Sequence, residues 1–288
     1  MHIILYNPLS KNKKAKRTTK KVVEYFKKNH MPFRLKSLLK IKNIESYLKK
    51  TPKDVKILLL GGDGTINTFI NHTVDLAVEN EVYLKGNGSG NDFLRSLKKQ
   101  RPLTQPIMLM RYNDKKRYFM NGAGIGMDGR IAHLVNQSVR KNRFNYFFNA
   151  LRTFATFKPR YAEVIIDGEL YTFNKAYLVN MNSGQFIGGG MRLTPDAILS
   201  EDELDIIVVH KISKPLLFIV FLSVYLGFHK KLKRYIFYKK GKHIKATMFS
   251  NQVVQCDGET FENAGEIEVT TTNKHANFKS FELEKNTN

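Results

Sequence analysis

Short, solid runs of apolar residues alternate with helix-spaced ones along the first part of the chain. Residues 2–6 (His-Ile-Ile-Leu-Tyr) read as a strand, and the stretch after them sets Val22, Val23 and Phe26 on one face of a helix. Residues 32–37 predict a short second strand and 41–50 a helix. Next, Ile57, Leu58, Leu59 and Leu60 form a buried strand that ends abruptly in Gly61-Gly62-Asp63-Gly64-Thr65. Beyond that turn Ile66, Phe69, Ile70, Val74, Ala77 and Val78 recur at three- and four-residue spacing, as on a helix facing a core. Residues 82–85 repeat the scheme, a strand running into the glycine-rich stretch 86–90 and then a helix. Such alternation builds a parallel sheet with helices on its faces.

The pattern then changes. Residues 130–157 are helical, aromatic and basic, suited to a core or to contact with a lipid. From 161 onwards short strands separated by turns take over, at 162–166, 170–173, 176–180, 204–209 and 244–248, with Asp167-Gly168 as a hairpin turn. Residues 216–228 form an apolar helix flanked by lysines, too short for the ~20 residues that span a bilayer. The first residues lack the charged-then-apolar order of a signal peptide. The expected division is an α/β domain over 1–115 and a β-rich domain over 116–275, with 276–288 packing back on the first.

Glycine turns between a buried strand and a helix suit phosphate, because backbone N–H groups can approach an anion and the helix end adds positive potential. A carboxylate there is unexpected. Asp63 repels phosphate unless Mg²⁺ or a hydroxyl donor stands between, which points to phosphoryl transfer rather than phosphate storage. The plainer reading is a tight turn with Asp63 or Thr65 capping the helix; the second glycine turn at 86–90 weighs against it. Asn7-Pro8-Leu9-Ser10-Lys11 follows the first strand, a nucleotide-facing place in open parallel sheets. Gly124-Ile-Gly126-Met-Asp-Gly129 has the spacing of a dinucleotide fingerprint. That fingerprint needs an acid ~20 residues further on for the ribose, and no Asp or Glu lies between Asp128 and Glu163.

Charge adds a surface to this picture. The 288 residues hold 48 Lys and Arg against 25 Asp and Glu, a net charge of +23. Such a surface attracts an anionic membrane or a nucleic acid. Part of the excess fits simple drift in a chain rich in Lys, Asn, Ile and Phe and lacking Trp. No helix-turn-helix, RNP or zinc signature supports nucleic acid. The single cysteine, Cys256, rules out an internal disulfide and a multi-cysteine zinc site, and is compatible with a reducing cytoplasm.

Five motifs, in order, resemble the diacylglycerol kinase catalytic-domain family, which includes bacterial lipid kinases and is related to sphingosine kinases and more distantly to NAD kinases. They are the polar turn 7–11, the strand-GGDGT-helix unit, and Gly86-Asn-Gly88-Ser89-Gly90-Asn91-Asp92-Phe93-Leu-Arg95. The others are the glycine loop Gly188-Gly-Gly-Met191 with Pro195, Ala197, Leu204 and Asp205, and Gln255-Cys-Asp257-Gly258-Glu259. Phe119-Met-Asn121 with the glycines after it resembles the family's link between domains. Lys11 stands where glycine is usual and Gly86 where proline is usual. Residues 106–110 (Pro-Ile-Met-Leu-Met) lack the family's substrate-side Asp.

The resemblance implies a Rossmann-like α/β nucleotide-binding domain and a C-terminal β-sandwich, with the active site in the cleft between them. It implies ATP and Mg²⁺ as cofactors and a lipid hydroxyl, most simply that of diacylglycerol, as acceptor. An anionic membrane on its cytoplasmic face is the implied partner, and a homodimer is compatible with it. The expected nucleotide contacts are Asn7, Pro8, Leu9, Ser10, Lys11, Ser37, Gly61, Gly62, Asp63, Gly64, Thr65, Asn67, Ser89, Gly90, Asn91 and Asp92. Asp63 also positions Mg²⁺ or its waters, and Glu259, helped by Asp257, is the general base. Asp-Gly-Glu is otherwise an ordinary hairpin turn; its place as the last of the ordered motifs favours catalysis. A structural Mg²⁺ would take Glu201 and the carbonyls of Ile198 and Glu203, with Glu201 in place of the usual Asp and Asp202 in place of Gly. Two rivals stand beside this reading. An NAD kinase-like enzyme shares the GGDG turn but neither the 88–92 turn nor the 188–191 loop. A non-catalytic regulator of the same fold would explain Lys11, Gly86 and Glu201 as decay, against the intact Asp63 and Glu259.

Overall fold

The protein was examined as a computed structural model, which describes residues 1–10, 12–76, 78–87, 91–138 and 143–283. Strands β1 His2–Tyr6, β2 Phe33–Ser37, β3 Lys56–Gly61 and β4 Val82–Gly86 lie parallel in one sheet. The solid apolar runs of β1 and β3 reflect cover on both faces, whereas the edge strand β2 exposes Arg34, Leu35 and Lys36. Ile4, Leu58 and Leu60 point to one face, where α1 Asn12–Lys28 lays Val22 and Phe26 against them. Ile3, Leu5, Ile57 and Leu59 point to the other, under α2 Ile44–Lys49, α3 Asp63–Thr73 and α4 Asp92–Gln100.

The second sheet is antiparallel. It holds β5 Gln105–Tyr112, β6 Lys115–Phe119, β7 Gly122–Gly126, β8 Arg160–Ile166, β9 Glu169–Asn182, β10 Leu204–His210, β11 Ile236–Gly241, β12 His243–Cys256 and β13 Glu259–Ala276. The two runs expected at 170–173 and 176–180 form the single long β9. β9 and β12 each pair with β8 along one part and with β7 along the other, so β7 and β8 lie end to end between them. Helices α5 Met127–Gln137, α6 Arg143–Thr156 and α7 Lys214–Val224 pack on this sheet, with Phe154 and Phe221 in its core. Asp167-Gly168 and Asp257-Gly258 close two-residue hairpins with both residues at positive φ, as a type I′ turn requires.

The chain changes sheets earlier than expected. β5 pairs with β13 and β6, so the crossing lies between α4 and β5 rather than at 115. The cause is in the apolar stretch 106–110, which is buried within the second sheet. A last strand, β14 Phe278–Ser280, returns to the first sheet and runs parallel to β4.

The loop between β9 and β10 carries the residues expected to hold a structural Mg²⁺. Instead, Lys240 Nζ bonds to Glu201 Oε2, and the Ile198 carbonyl accepts the Glu201 amide at 3.0 Å. Burial works against the Lys240 charge, but the hydrogen bond to Glu201 and the charges of Asp205, Glu201 and Glu203 outweigh it and raise its pKa. A divalent cation on the same carboxylate would face this ammonium at contact range. Among the described residues no three His, Cys, Asp or Glu side chains gather into a metal site. In this structure the Glu201 carboxylate is neutralised by Lys240.

Two outcomes follow for stability. Phe26 is fully buried, with its ring against Phe33, Phe281 and His2; Phe26→Ala should cost about 3–5 kcal/mol in chemical denaturation. The melting temperature should be the same in EDTA and in millimolar Mg²⁺, and an EDTA-sensitive melt would restore a cation to Glu201.

Candidate active site

Parallel strands bring their C-terminal ends to one edge, and three of the expected motifs meet there. Tyr6 lies beside Ser37 and Leu60, and Gly61 beside Gly86. Gly61 has no room for a side chain, since a Cβ would come 2.3 Å from that of Thr65. Asn7 Oδ1 accepts the Leu9 amide at 3.0 Å, closing the turn that carries Pro8. Asn7 Nδ2 donates to Thr65 Oγ1 at 3.3 Å, and Ser10 Oγ lies 3.2 Å from the same oxygen. The polar turn and the GGDGT turn are thus one unit. Gly62 is the N-cap of α3 and Gly64 is exposed in its first turn. Ser37 is buried at the end of β2. Lys11, Ser89 and Gly90 lie outside the described residues.

Beside these turns is a cavity of about 360 Å³ between α2 and α3. Asn7 and Thr65 are among its polar lining, and Leu38, Ile41, Ile44 and Phe69 are among its apolar walls. Phe69 is one of the helix-spaced residues after the GGDGT turn, but sequence reasoning did not single out Leu38, Ile41 and Ile44. They come from the 3-10 turn Leu38–Lys40 and the chain after it, where no motif marks them.

Asp63 Oδ2 accepts the Asp92 amide at 2.9 Å, while Oδ1 is buried and, among the described residues, lacks a well-formed hydrogen bond. Burial, with the charges of Asp92 and Asp257 nearby, pushes the Asp63 pKa up to about 7. A buried carboxylate oxygen without a well-formed hydrogen bond fits a hard cation. Asp92 itself turns elsewhere. Its Oδ1 bonds Arg95 at 3.1 Å and its Oδ2 accepts the Gly189 amide at 2.7 Å, tying α4 to the glycine loop of the second domain. Asn91 opens α4 in the left-handed conformation. The Asp92 carboxylate thus braces the two domains.

Asn67 departs from expectation. Its side chain is 0 % exposed, and its Nδ2 donates to the Tyr118 carbonyl at 3.0 Å and to Asp257 Oδ2 at 3.1 Å. It clasps α3 to the second domain and does not reach a nucleotide. Asn71, one turn later, brackets Tyr118 from both sides, donating to its carbonyl at 2.8 Å and accepting its amide at 3.0 Å. Asp257 accepts four donors. Asn121 and Gly122 amides reach Oδ1 at 2.9 and 3.0 Å, and the Met120 amide joins Asn67 on Oδ2 at 3.0 Å. With its lone pairs so engaged, Asp257 is a positioning residue, not the catalytic helper expected beside Glu259.

Glu259, two residues on, is half-exposed and held by Arg117. Nε and Nη2 of Arg117 both reach Oε2, at 3.0 and 2.5 Å. Nothing in the sequence pattern pairs these residues, because the contact depends on the register that lays β6 near the start of β13. Asp128, from the rejected fingerprint, is buried and accepts Asn180 and Gln255. Burial raises its pKa to about 6 against those two hydrogen bonds.

Comparisons with known proteins agree with the two-domain fold. Residues 1–120 match the model of the diacylglycerol kinase catalytic domain, and residues 122–272 match that of the YegS C-terminal NAD kinase beta sandwich-like domain. A diacylglycerol kinase of Staphylococcus saprophyticus is 24% identical over 269 residues, covering 89% of this chain and 88% of its own. A diacylglycerol kinase of Bacillus subtilis is 24% identical over 218 residues, 70% of each chain. The crystal structure of a diacylglycerol kinase from Bacillus anthracis superposes with a TM-score of 0.65 at 20% identity, over 93% of both chains. With its two halves matched in this order, the chain belongs to the diacylglycerol kinase family of bacterial lipid kinases.

Proposed function

We propose that the protein transfers the γ-phosphate of ATP to the hydroxyl of a lipid, with diacylglycerol as acceptor and phosphatidic acid as product. The observation that carries this reading is the Asn67–Asp257 bond, which fixes Glu259 to the helix that begins at the phosphate turn. The adenine ring enters the cavity walled by Leu38, Ile41 and Ile44, and the glycine turns around Gly62 and Gly64 meet the phosphates. Asp63 supplies the oxygen for Mg²⁺. When bound, that ion neutralises charge on the β- and γ-phosphates.

Arg117 engages only Oε2 of Glu259 among the described contacts. Oε1 therefore accepts the proton of the attacking lipid hydroxyl, while Arg117 holds the carboxylate in one orientation. Positioning of acceptor and phosphate supplies most of the rate, and the base adds roughly 10²–10⁴-fold.

Incubation with γ-labelled ATP, Mg²⁺ and diacylglycerol in mixed micelles should place label in the organic phase. Glu259→Gln should lower that rate by about 10²–10⁴-fold and leave ATP binding unchanged. Loss of ATP binding in this variant would refute the role of base. ATP binding by the wild type without any labelled lipid, across a total lipid extract, would favour the non-catalytic regulator.

The raised pKa of Asp63 gives two signs. The folded state keeps this proton up to about pH 7, whereas the unfolded chain loses it near the ordinary 3.8. Its contribution to stability is therefore greatest at the acid end and falls as pH rises through that window. Cation binding needs the ionised form, so Mg²⁺-dependent nucleotide affinity should rise over the same interval. Asp63→Asn should flatten both profiles, read by thermal melts and by ATP titration. Unchanged profiles would remove Asp63 from the cation's place.

A further inference from the structure

A helix on the outside of a domain ordinarily turns polar residues to solvent. α7 does not. Leu217, Val220, Phe221 and Val224 pack inward, with Phe221 against Phe147 and Phe154 of α6. The outward side is apolar too: Ile219 is 59% exposed, Leu226 65% and Phe228 56%, with Phe218, Leu222 and Tyr225 beside them. Phe148, on the neighbouring α6, is 64% exposed.

The charges around this patch are mostly basic: Lys230 is paired with Asp196 of the adjoining loop, while Lys231, Lys233 and Arg234 after it are not paired in this way among the described residues. No Asp or Glu occurs between Asp205 and Asp257, and none between Asp128 and Glu163, so α6 and α7 both come from acid-free stretches. Lys231, Lys233 and Arg234 follow α7 in exposed positions, with Lys231 over the Phe228 ring at 5.4 Å and Arg234 over Tyr235 at 5.6 Å. Among the described residues, no helix is long and apolar enough to cross a membrane.

We propose that the outward face of α7, with Phe148 and the basic segment 231–234, is a docking surface for an anionic lipid bilayer. Bulky apolar side chains beside a row of cations match acyl chains lying under negative headgroups. A nucleic acid would satisfy the lysines but leave Ile219, Leu222 and Leu226 without a partner. A second copy would bring another +23 chain against a surface with the same basic excess. The seat of the helix also ties it to the cleft. The Arg192 amide bonds the Val224 carbonyl at 3.2 Å, and the loop holding Arg192 is the one whose Gly189 is gripped by Asp92. The inference deepens the reading of a lipid acceptor by naming the surface from which it is reached, but its test uses no nucleotide and no turnover.

The full chain is sedimented with phosphatidylglycerol–phosphatidylcholine vesicles at increasing salt, beside the triple variant Ile219→Ser, Leu222→Ser, Leu226→Ser. These positions are exposed, and a far-UV spectrum and melt confirm that the variant is folded. Wild type should bind, and the variant should bind at least roughly tenfold more weakly. Lys231→Glu with Lys233→Glu should weaken binding at low salt and flatten its salt dependence. Equal binding by the folded triple variant would overturn the proposal, as would wild type that ignores anionic vesicles. Light scattering adds one more outcome: a wild-type dimer that the triple variant makes monomeric, with vesicle binding intact, would assign this face to self-association instead. Vesicle binding without labelled lipid in the kinase assay would leave the surface standing and refute the activity alone.

Discussion

A carboxylate buried where two domains meet survives as an ion only if donors surround it. Asp257 has four of them, the amides of Met120, Asn121 and Gly122 and the side chain of Asn67. Burial raises its pKa, and those hydrogen bonds offset only part of the shift. Two donors belong to the link between β6 and β7, one is the first residue of β7, one belongs to α3, and the acceptor sits in the β12–β13 hairpin. A single anion therefore fixes the helix of the phosphate turn, the passage between domains and the strand that starts with Glu259. Its loss would strand four donors, each at a cost of about 1–3 kcal/mol if left buried and unpaired. The proposed base and the phosphate turn share one support, so their spacing does not depend on a flexible hinge.

The parallel sheet was legible because β1 and β3 are compact apolar runs with a polar or glycine turn after each, and β4 repeats the scheme. Gly61 and the Asp257-Gly258 hairpin were legible for a similar reason, since local geometry admits few other residues there. The passage between sheets was not, because an apolar run such as 106–110 satisfies either core equally well. Asn67, Asp92 and Asp257 were read as site residues and are structural ties. Polar residues near a ligand and polar residues that join two domains have the same composition, and only the partner across the junction tells them apart. Arg117 and the cavity walls Leu38, Ile41 and Ile44 were invisible for the converse reason, being long-range contacts of residues without a motif.

The same basic excess does different work in different places. At Glu201 a lysine takes over the neutralising role of a cation, and at Glu259 an arginine orients a carboxylate while leaving one oxygen unoccupied. After α7, Asp196 pairs Lys230, while Lys231, Lys233 and Arg234 stand exposed beyond it. The sequence count of +23 does not distinguish these places from one another.

The order of strands in the first sheet sets a schedule for synthesis. β4 carries its outer neighbour, β14, only after every strand of the second domain has been made. A chain emerging from the ribosome would therefore hold a nucleotide domain with a bare hydrogen-bonding edge and with Phe69 and Phe93 missing the Phe278 ring that packs on them. The last strand acts as a latch that closes over finished work, and a nascent chain stalled before it would expose an edge suited to chaperone capture or to pairing with another chain.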